Sequence, residues 1–335
     1  MRTKRDAGDK LADFDATTSR RRFLARSGAA AAVLFAPTRK ASAAVQDTTL
    51  KIGDQKGGSQ AVMEAAGALK DLPYRVEWKQ FPAAAPLLEA LNAGAIDSGF
   101  AGDAPTTFAF AAGAPAKIIG ANRSNPSATA IIVPKTSTIR TTADLKGKII
   151  GTGRGSIGHY LVLAALKAAG LTMADVKIAF LLPSDAKMAL ARGAVDAWST
   201  WGIYTAQAVL VDGARIVADG GGLLSGLSYQ SATVAAIAAK RDALADFVRR
   251  LAGARLWALD NVDSFSRTWA QLVGVDSEVA RYSIGHEGFR PVAIDDTVIS
   301  DQQKTADLWT ESGVVARKLD VRPFFDTTFN TAQSL

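Results

Sequence analysis

The sequence predicts an α/β protein of two lobes, each built on a mostly parallel sheet, with a ligand cleft between the lobes. Its 335 residues are too many for one ordinary compact domain and suit two domains of roughly 100–150 residues. Strand-like segments alternate with amphipathic helical segments, which is typical of parallel sheets covered by helices on both faces. An eight-residue pattern that occurs twice indicates that the two lobes are similar.

Strands are predicted where apolar and polar residues alternate, and helices where leucines recur at helical spacing. The series opens with a strand at residues 49–53, and residues 86–93 form a helix that ends before Gly94. The other predicted strands occupy residues 76–79, 96–100, 117–120, 130–133 and 148–151.

Residues 90–97 (ALNAGAID) and 189–196 (ALARGAVD) share one pattern. Each copy ends a helix at glycine, which supplies the left-handed conformation that closes helices, and continues through a β-branched residue and aspartate. One copy alone would be an ordinary helix-to-strand turn, and two copies favour two similar lobes over coincidence. Each predicted strand then leads to a loop at its carboxyl end, where open parallel sheets bind ligands. We therefore expect the two loops to face each other across a cleft.

The basic charge of the chain is concentrated at its amino end. Residues 1–44 contain ten Lys or Arg and four Asp or Glu, so most of the net charge of +7 lies there. A nucleic-acid-binding function therefore has no basis in the remaining charge. The chain has no Cys and two His, which excludes disulfides and a lipidated cysteine and disfavours a metal centre. No apolar run approaches the ~18–20 residues of a membrane-spanning helix, and we expect neither membrane embedding nor a cofactor.

The first 43 residues have the features of an export signal. A run of three arginines at 20–22 precedes Phe23 and Leu24, and an apolar stretch of small residues follows. Residues 41–43 (ASA) then have the small side chains that a signal peptidase recognises. Paired arginines before Phe-Leu resemble the twin-arginine signal. We predict a twin-arginine signal peptide at residues 1–43 and a periplasmic mature protein, with a disordered basic tail as the alternative.

A glycine-rich turn at residues 151–160 (GTGRGSIGHY) is the strongest candidate site. It lies between a predicted strand and a helix, where backbone N–H groups can approach an anion that the helix dipole also favours. Ser156 can cap this helix and donate its hydroxyl to a ligand. The spacing Gly153-x-Gly155-x-x-Gly158 does not predict a dinucleotide site, because the turn is mid-chain and lacks the expected acidic residue. A purely structural turn is the alternative.

Two further segments could line a cleft. Residues 102–107 (GDAPTT) predict a second helix start with Asp103 as N-cap, and a plain capped helix is the alternative. Trp198, Trp201 and Tyr204 follow the second repeat and are predicted to form apolar walls, although core burial is the common role of tryptophan. No carboxylate pair or Ser–His–Asp arrangement is apparent, so no catalytic residue is predicted.

These segments resemble the periplasmic aliphatic-sulfonate-binding proteins of ABC importers, a family with taurine- and nitrate-binding relatives. The resemblance runs from about Thr49 to about Arg322 and rests on the shared order of short segments. Those segments are LKIG (50–53), QK (55–56), FPA (81–83), LLEALN (87–92), GDAP (102–105), ADLKGK (143–148), GS (155–156), HYL (159–161) and VDAW (195–198).

The fold of that family is the type II periplasmic-binding clamshell, in which the chain crosses twice between two α/β lobes. The resemblance implies lobe 1 at residues 44–133 and 233–335 and lobe 2 at residues 134–232. It also implies a monomeric binding protein, not an enzyme, that closes on an aliphatic or aryl sulfonate and delivers it to a permease and an ATPase. The candidate ligand-binding residues are Gln55, Gly102, Asp103, Ser156, Ile157, His159, Trp198, Trp201 and Gly202.

The chain departs from the family pattern at Gly202. Family members commonly have Trp-Asp-Pro where this chain has Trp201-Gly202-Ile203. The resemblance therefore implies that a carboxylate facing the cleft is lost and that an uncharged tail is favoured over a taurine-like ammonium. The alternative ligands are nitrate, a sulfate ester or a pyrimidine precursor. The alternative functions are a pyrimidine-synthase-like enzyme and a sensor subunit.

Overall fold

A computed structural model of the chain describes residues 48–330, and the predicted signal peptide at residues 1–43 lies outside them. The strands are β1 Thr49–Gln55, β2 Arg75–Phe81, β3 Ser98–Gly102, β4 Ala116–Arg123, β5 Thr129–Val133, β6 Ile149–Thr152, β7 Lys177–Phe180, β8 Ala197–Trp201, β9 Arg215–Asp219, β10 Leu227–Thr233 and β11 Arg290–Val292. They form one sheet in the order β11-β4-β10-β3-β1-β2 and a second in the order β7-β6-β8-β5-β9. The two-sheet α/β architecture is as predicted.

Ten helices connect the described strands. They are α1 Ser59–Ala65, α2 Ala84–Asn92, α3 Asp103–Ala111, α4 Ile157–Ala168, α5 Pro183–Ala191, α6 Gly202–Leu210, α7 Val234–Asp260, α8 Val262–Val273, α9 Ser277–Glu287 and α10 Asp296–Glu311. The long helix α7 is interrupted at Lys240, which has non-helical backbone angles. Within the described part of the chain, no helix is long and apolar enough to span a bilayer.

Both sheets are mixed, but most of their strands run in one direction, as predicted: β1, β2, β3 and β4 in the first sheet and β6, β7, β8 and β9 in the second. β1 pairs in parallel with β2 and β3, and β6 pairs in parallel with β7 and β8. β10, however, runs antiparallel between β3 and β4, and β5 runs antiparallel between β8 and β9. β5 and β10 are the strands that follow each crossing between the sheets. The first strand after each crossing pairs directly with the new sheet, without a preceding α-helix, and therefore runs opposite to the strands of the β-α units. The local alternation of strands and helices in the sequence does not reveal this reversal.

The chain changes sheet earlier than the predicted lobe boundaries. Residues 129–133, assigned to lobe 1, pair within the second sheet, and residues 227–232, assigned to lobe 2, pair within the first. The crossings therefore lie at residues 124–128 and 220–226. The two crossings run side by side and are joined by a hydrogen bond from the Ser124 N–H to the Gly226 carbonyl at 2.9 Å. We use first lobe for the six-stranded sheet with its helices and second lobe for the five-stranded sheet with its helices.

Helices pack on both faces of each sheet. In the first lobe, Ile52 of β1 is buried with Phe247 of α7 and Trp269 of α8, while Leu87 of α2 and Trp309 of α10 belong to a separate buried cluster. In the second lobe, α4 contributes to one cluster and α5 and α6 to another. α4 is buried nearly all round, because it lies between its own sheet and the first lobe.

The repeated pattern marks the same structure in both lobes. Gly94 and Gly193 follow helix ends with φ of +68° and +70°. After them, Asp97 Oδ2 accepts a hydrogen bond from the Lys51 N–H at 2.7 Å, and Asp196 Oδ2 accepts one from the Ile149 N–H at 2.7 Å. Each aspartate thus ties the turn to the start of the neighbouring parallel strand. The prediction of two similar lobes is confirmed at this level.

Candidate functional site

A cleft lies where the carboxyl ends of strands from both sheets meet. Its walls come from the ends of β1, β3 and β8 and from the first turn of α4, and it opens onto about 1220 Å³ of space. Strand ends of this kind are where open α/β sheets bind ligands. Six of the nine candidate residues line this cleft, namely Gln55, Gly102, Ser156, Ile157, Trp201 and Gly202.

The glycine-rich turn delivers the start of α4 to the cleft. Gly155 has a φ of +66°, a conformation that other residues rarely adopt, and it turns the chain into the helix. Ser156 is the N-cap, and its Oγ accepts a hydrogen bond from the His159 N–H at 3.1 Å. A Cβ at Gly158 would lie 2.6 Å from the carbonyl oxygen of Ser199, so glycine lets α4 pack closely on β8. The turn is therefore structural as well as placed at the cleft.

The Ser156 hydroxyl can donate its proton either to Thr152 Oγ1, in a long contact of 3.5 Å, or to a ligand in the cleft. Thr152 Oγ1, 3.5 Å from Ser156 Oγ, directs its own proton to the Ser199 carbonyl at 3.0 Å. Ser156 Oγ is an acceptor in its bond with His159 N–H, and a hydroxyl can accept and donate at once. The cleft thus has a donor at the positive end of a helix dipole, an arrangement suited to an anion.

The first lobe offers a donor on the facing wall. Gln55 Nε2 donates one N–H to the Phe100 carbonyl at 3.2 Å, which leaves its second N–H without a partner among the described residues. Gly102 is the N-cap of α3 and lines the cleft. The Gln55 side-chain amide on one lobe therefore faces the Ser156 turn on the other, whereas the Ala104 N–H at the start of α3 already donates to Asp103 Oδ1 at 2.6 Å.

Asp103 differs from its predicted role. Gly102 is the N-cap, and Asp103 is the first residue of α3. The buried carboxylate accepts hydrogen bonds from the Ala104 N–H at 2.6 Å, from Ser225 Oγ at 2.5 Å and from Thr305 Oγ1 at 3.2 Å. Burial raises the pKa of Asp103. Its side chain ties α3 to the second crossing and to α10, and does not line the cleft.

His159 also lies outside the cleft. The ring is 1 % exposed, and it contacts Phe180 and Trp309 at centroid distances of 5.0 and 5.1 Å. Its Nδ1 accepts a hydrogen bond from the Gly155 N–H at 3.3 Å. Burial, with a smaller contribution from the charge of Arg154, lowers the pKa of His159 to about 4. His159 therefore supports the turn and joins the second lobe to α10 as a neutral group.

The aromatic residues after the second repeat divide between core and cleft. Trp198 is 2 % exposed and packs in the core of the second lobe, so its predicted place in the cleft wall was wrong. Trp201 and Tyr204 line the cleft, with their rings edge to face at 6.1 Å. The difference follows from strand alternation and from the position of Trp201 at the end of β8.

Sequence reasoning missed Glu287. It is the last residue of α9 and lines both the cleft and a side pocket of about 610 Å³. A Cβ on Gly202 would lie 2.6 Å from Glu287 Oε1. Burial raises the pKa of Glu287 to about 7, against the lowering effect of a hydrogen bond from Ser283. Nothing in the local sequence signals this role, because Glu287 lies 85 residues beyond Gly202.

Asp54 and Arg255 are two buried residues of opposite charge, Asp54 at the cleft and Arg255 at the side pocket. Asp54 Oδ1 and Oδ2 accept from the N–H groups of Ser59 and Gln60 at 2.8 and 2.9 Å, which caps α1. Burial raises the pKa of Asp54 to about 6, while these hydrogen bonds and the charge of Arg255 lower it. The Arg255 guanidinium stacks on Phe100 at 4.0 Å. Among residues 48–330, no group of three or more His, Asp or Glu could hold a metal ion.

Comparisons with known proteins agree with this arrangement. The family model described as NMT1/THI5 like matches residues 75–261. An aliphatic sulfonates-binding protein of Escherichia coli (strain K12) is 35% identical over 309 residues, covering 88% of this chain and 93% of that protein.

Solved structures show the same likeness. The alkanesulfonate-binding protein SsuA from Xanthomonas axonopodis pv. citri, bound to MOPS, superposes with a TM-score of 0.79 at 33% identity, covering 84% of this chain and 99% of that one. The periplasmic aliphatic sulphonate binding protein SsuA from Escherichia coli has a TM-score of 0.74 at 32% identity, covering 82% and 91%. The desulfurization enzyme DSZB shares the fold alone, at 16% identity and a TM-score of 0.62 over 85% of this chain and 98% of that one.

Proposed function

Because the chain belongs to the NMT1/THI5-like family, we propose that it is a periplasmic solute-binding protein that captures an alkanesulfonate for an ABC importer. The observation that carries the proposal is the cleft, where the capped start of α4 on one lobe faces Gln55 and Gly102 on the other. Its relatives named above are described as aliphatic sulfonate-binding proteins, and one is described as periplasmic.

The sulfonate group binds at the Ser156 turn. Its oxygens accept from the Ser156 hydroxyl and the first amides of α4 on one lobe, and from the Gln55 side-chain amide on the other. These donors are neutral, and the helix dipole supplies the positive potential. A neutral donor loses less hydration free energy than a charged side chain would when the anion displaces water from it. Asp103 and His159 do not contact the ligand: Asp103 ties α3 to the second crossing and to α10, and His159 supports the Ser156 turn.

The ligand's tail lies along Trp201, Tyr204 and Phe289, the aromatic residues that line the cleft together with Phe100 and Trp269. Burial of apolar tail contributes about 0.8 kcal/mol per CH₂ group. Affinity should therefore rise along a series of alkanesulfonates until the tail exceeds the space. Because MOPS is itself a sulfonate with a bulky tail, the MOPS complex of the Xanthomonas relative is consistent with a roomy cleft.

Capture works by closure of the two lobes, which are joined by the crossings at residues 124–128 and 220–226. Either lobe alone offers half of the donors, so the ligand stabilises the closed form. The monomeric, closed protein then delivers its ligand to the permease and ATPase. Small-angle scattering measures this directly, and we expect a smaller radius of gyration with saturating sulfonate.

The decisive experiment is calorimetric titration of the purified mature protein with alkanesulfonates, nitrate, sulfate, sulfate esters and pyrimidine precursors. We expect alkanesulfonates to bind most tightly, with affinity increasing with tail length. If nitrate, a sulfate ester or a pyrimidine precursor bound more tightly, that compound and not an alkanesulfonate would be the ligand. Release of sulfite or another product from bound ligand would show an enzyme instead of a binding protein.

A further inference from the structure

Glu287 places a carboxylate where Gly202 leaves space in the cleft wall. The two residues belong to different lobes, Gly202 at the start of α6 and Glu287 at the end of α9. Glu287 Oε1 lies 2.6 Å from the position of a Cβ on Gly202, whose φ of +54° also disfavours a side chain. A longer side chain at position 202 and the present position of Glu287 are therefore mutually exclusive. The cleft has not lost a carboxylate at this point, because one reaches it from the opposite lobe.

The Glu287 carboxylate has no cation partner among residues 48–330. It accepts one hydrogen bond, from Ser283 Oγ to Oε1 at 2.9 Å, and it forms no ion pair with a described Lys, Arg or His. Its position at the carboxyl end of α9 is unfavourable for a negative charge, because the helix dipole is negative there. A cationic group on a bound ligand would therefore stabilise the charged form of this partly buried carboxylate.

The nearest buried cation is already balanced. Arg255 is 7 % exposed, stacks on Phe100 at 4.0 Å and lies 5.9 Å from the ring of Phe289. Its charge interacts with that of Asp54, and each favours the charged form of the other. The Asp54 and Arg255 charges thus offset one another. Lys56 also lines the cleft but forms no ion pair with Glu287, so Glu287 remains a carboxyl group without a charged partner among residues 48–330.

We propose that Glu287 is a specificity-determining residue that selects sulfonates whose tail carries a protonated amine. This inference rests on the proposed function, since it takes the sulfonate end to be held at the Ser156 turn. The amine donates to Glu287 at the mouth of the side pocket, and the intervening methylenes lie against Phe100 and Phe289, which line both the cleft and the pocket. The implied ligand class is the ω-aminoalkanesulfonates, in place of the uncharged tails that Gly202 alone suggests.

The test compares three end groups of matched length on the wild-type protein by calorimetric titration at pH 7.5. The probes are 3-aminopropanesulfonate, butanesulfonate and 3-sulfopropanoate. We expect the amine to bind at least about tenfold more tightly than butanesulfonate, because its ammonium group makes a charge-assisted hydrogen bond to Glu287 that the methyl end of butanesulfonate cannot make. Glu287→Gln should abolish this preference, because the amide cannot form an ion pair with the ammonium group. Glu287→Asp, which retains the charge but withdraws it by one methylene, should show an intermediate preference.

The outcomes separate the two proposals. If no sulfonate binds, the proposed function fails. If butanesulfonate binds and the wild-type protein shows no preference for the amine, or prefers 3-sulfopropanoate, the role of Glu287 is refuted and the sulfonate function stands. A preference that survives unchanged in Glu287→Gln also refutes it. Thermal melting shows whether each variant is folded. If a variant fails to fold, the comparison of the three probes on the wild-type protein still decides whether the amine is preferred.

Discussion

Ser156 Oγ accepts a hydrogen bond from the His159 N–H at 3.1 Å, so one side chain both begins α4 and stands at the cleft. The cap and the proposed ligand contact use different parts of the hydroxyl, the lone pair for the cap and the proton for the ligand. This relationship makes the two roles experimentally separable.

Ser156→Ala should reduce both stability and affinity. Loss of the N-cap costs about 1 kcal/mol of the free energy of unfolding, and loss of the donor weakens sulfonate binding by about tenfold. Ser156→Asp is the matched control, because it restores a cap acceptor but places a negative charge beside the anion. We expect the Asp variant to be more stable than the Ala variant and to bind sulfonates more weakly. Urea denaturation and calorimetry measure the two effects, and wild-type affinity in Ser156→Ala would leave the turn with a structural role alone.

Trp201→Ala should weaken ligands in proportion to the length of their tails. Trp201 lines the cleft, and its removal takes away apolar wall without removing a donor. Each CH₂ that the ring covers contributes up to about 0.8 kcal/mol, so the loss should grow along an alkanesulfonate series. Trp198→Phe is the control, since Trp198 is in the core. It should lower the melting temperature without altering the dependence on tail length, and a uniform loss in Trp201→Ala would contradict the assignment.

Asp103→Ala should destabilise the fold more than it weakens binding. The substitution leaves Ser225 and Thr305 without their carboxylate acceptor and removes the bond from the Ala104 N–H. We expect a loss of about 2–3 kcal/mol in the free energy of unfolding, with affinity within a few fold of wild type. Asp103→Asn retains an acceptor oxygen and should lose less. Abolished binding at wild-type stability would place the carboxylate in the ligand site.

His159 should make stability depend on pH between about 4 and 6.5. Its pKa is about 4 in the folded protein, against 6.5 as its ordinary value, so the unfolded chain binds the extra proton in this range. Stability from this residue is complete above pH 6.5 and falls by up to about 3 kcal/mol as the pH drops towards 4. Asp54 and Glu287 have raised pKa values and oppose this slope.

The difference between the wild-type protein and His159→Gln isolates the effect of His159 from that of the carboxyl groups. Denaturation at a series of pH values should show the stability of the wild-type protein, relative to the variant, rising from pH 4 to 6.5 and then remaining level. A difference that is independent of pH would mean that the folded protein admits a charged imidazole.

Changing Arg20 and Arg21 together to lysine should leave precursor in the cytoplasm, because the twin-arginine route requires the pair. Cell fractionation and immunoblotting measure the distribution. Arg26→Lys is the control and should be exported normally. Export of the double variant at the wild-type level would contradict the predicted route, though not the periplasmic location.

Local sequence patterns determined much of this protein. The alternation of the strands, the helix ends at Gly94 and Gly193, and the N-cap at Ser156 depend on neighbours within a few residues, so each could be predicted. The same holds for the similarity of the two lobes, because Asp97 and Asp196 recur in the same local pattern and make the same backbone bond. Five of the six predicted strands coincide with observed ones, and the sixth is shifted by two residues, to Ser98–Gly102.

Only the tertiary structure decided the sheet to which β5 and β10 belong and the charge of the cleft wall. β10 pairs with β3 across more than 100 residues of chain, and an isolated strand looks the same whichever sheet accepts it. Glu287 reaches the cleft because α9 of one lobe meets α6 of the other at Gly202. A contact of that kind depends on how the helices pack, and a carboxylate at a helix end has no local pattern that distinguishes a ligand site from a solvated surface.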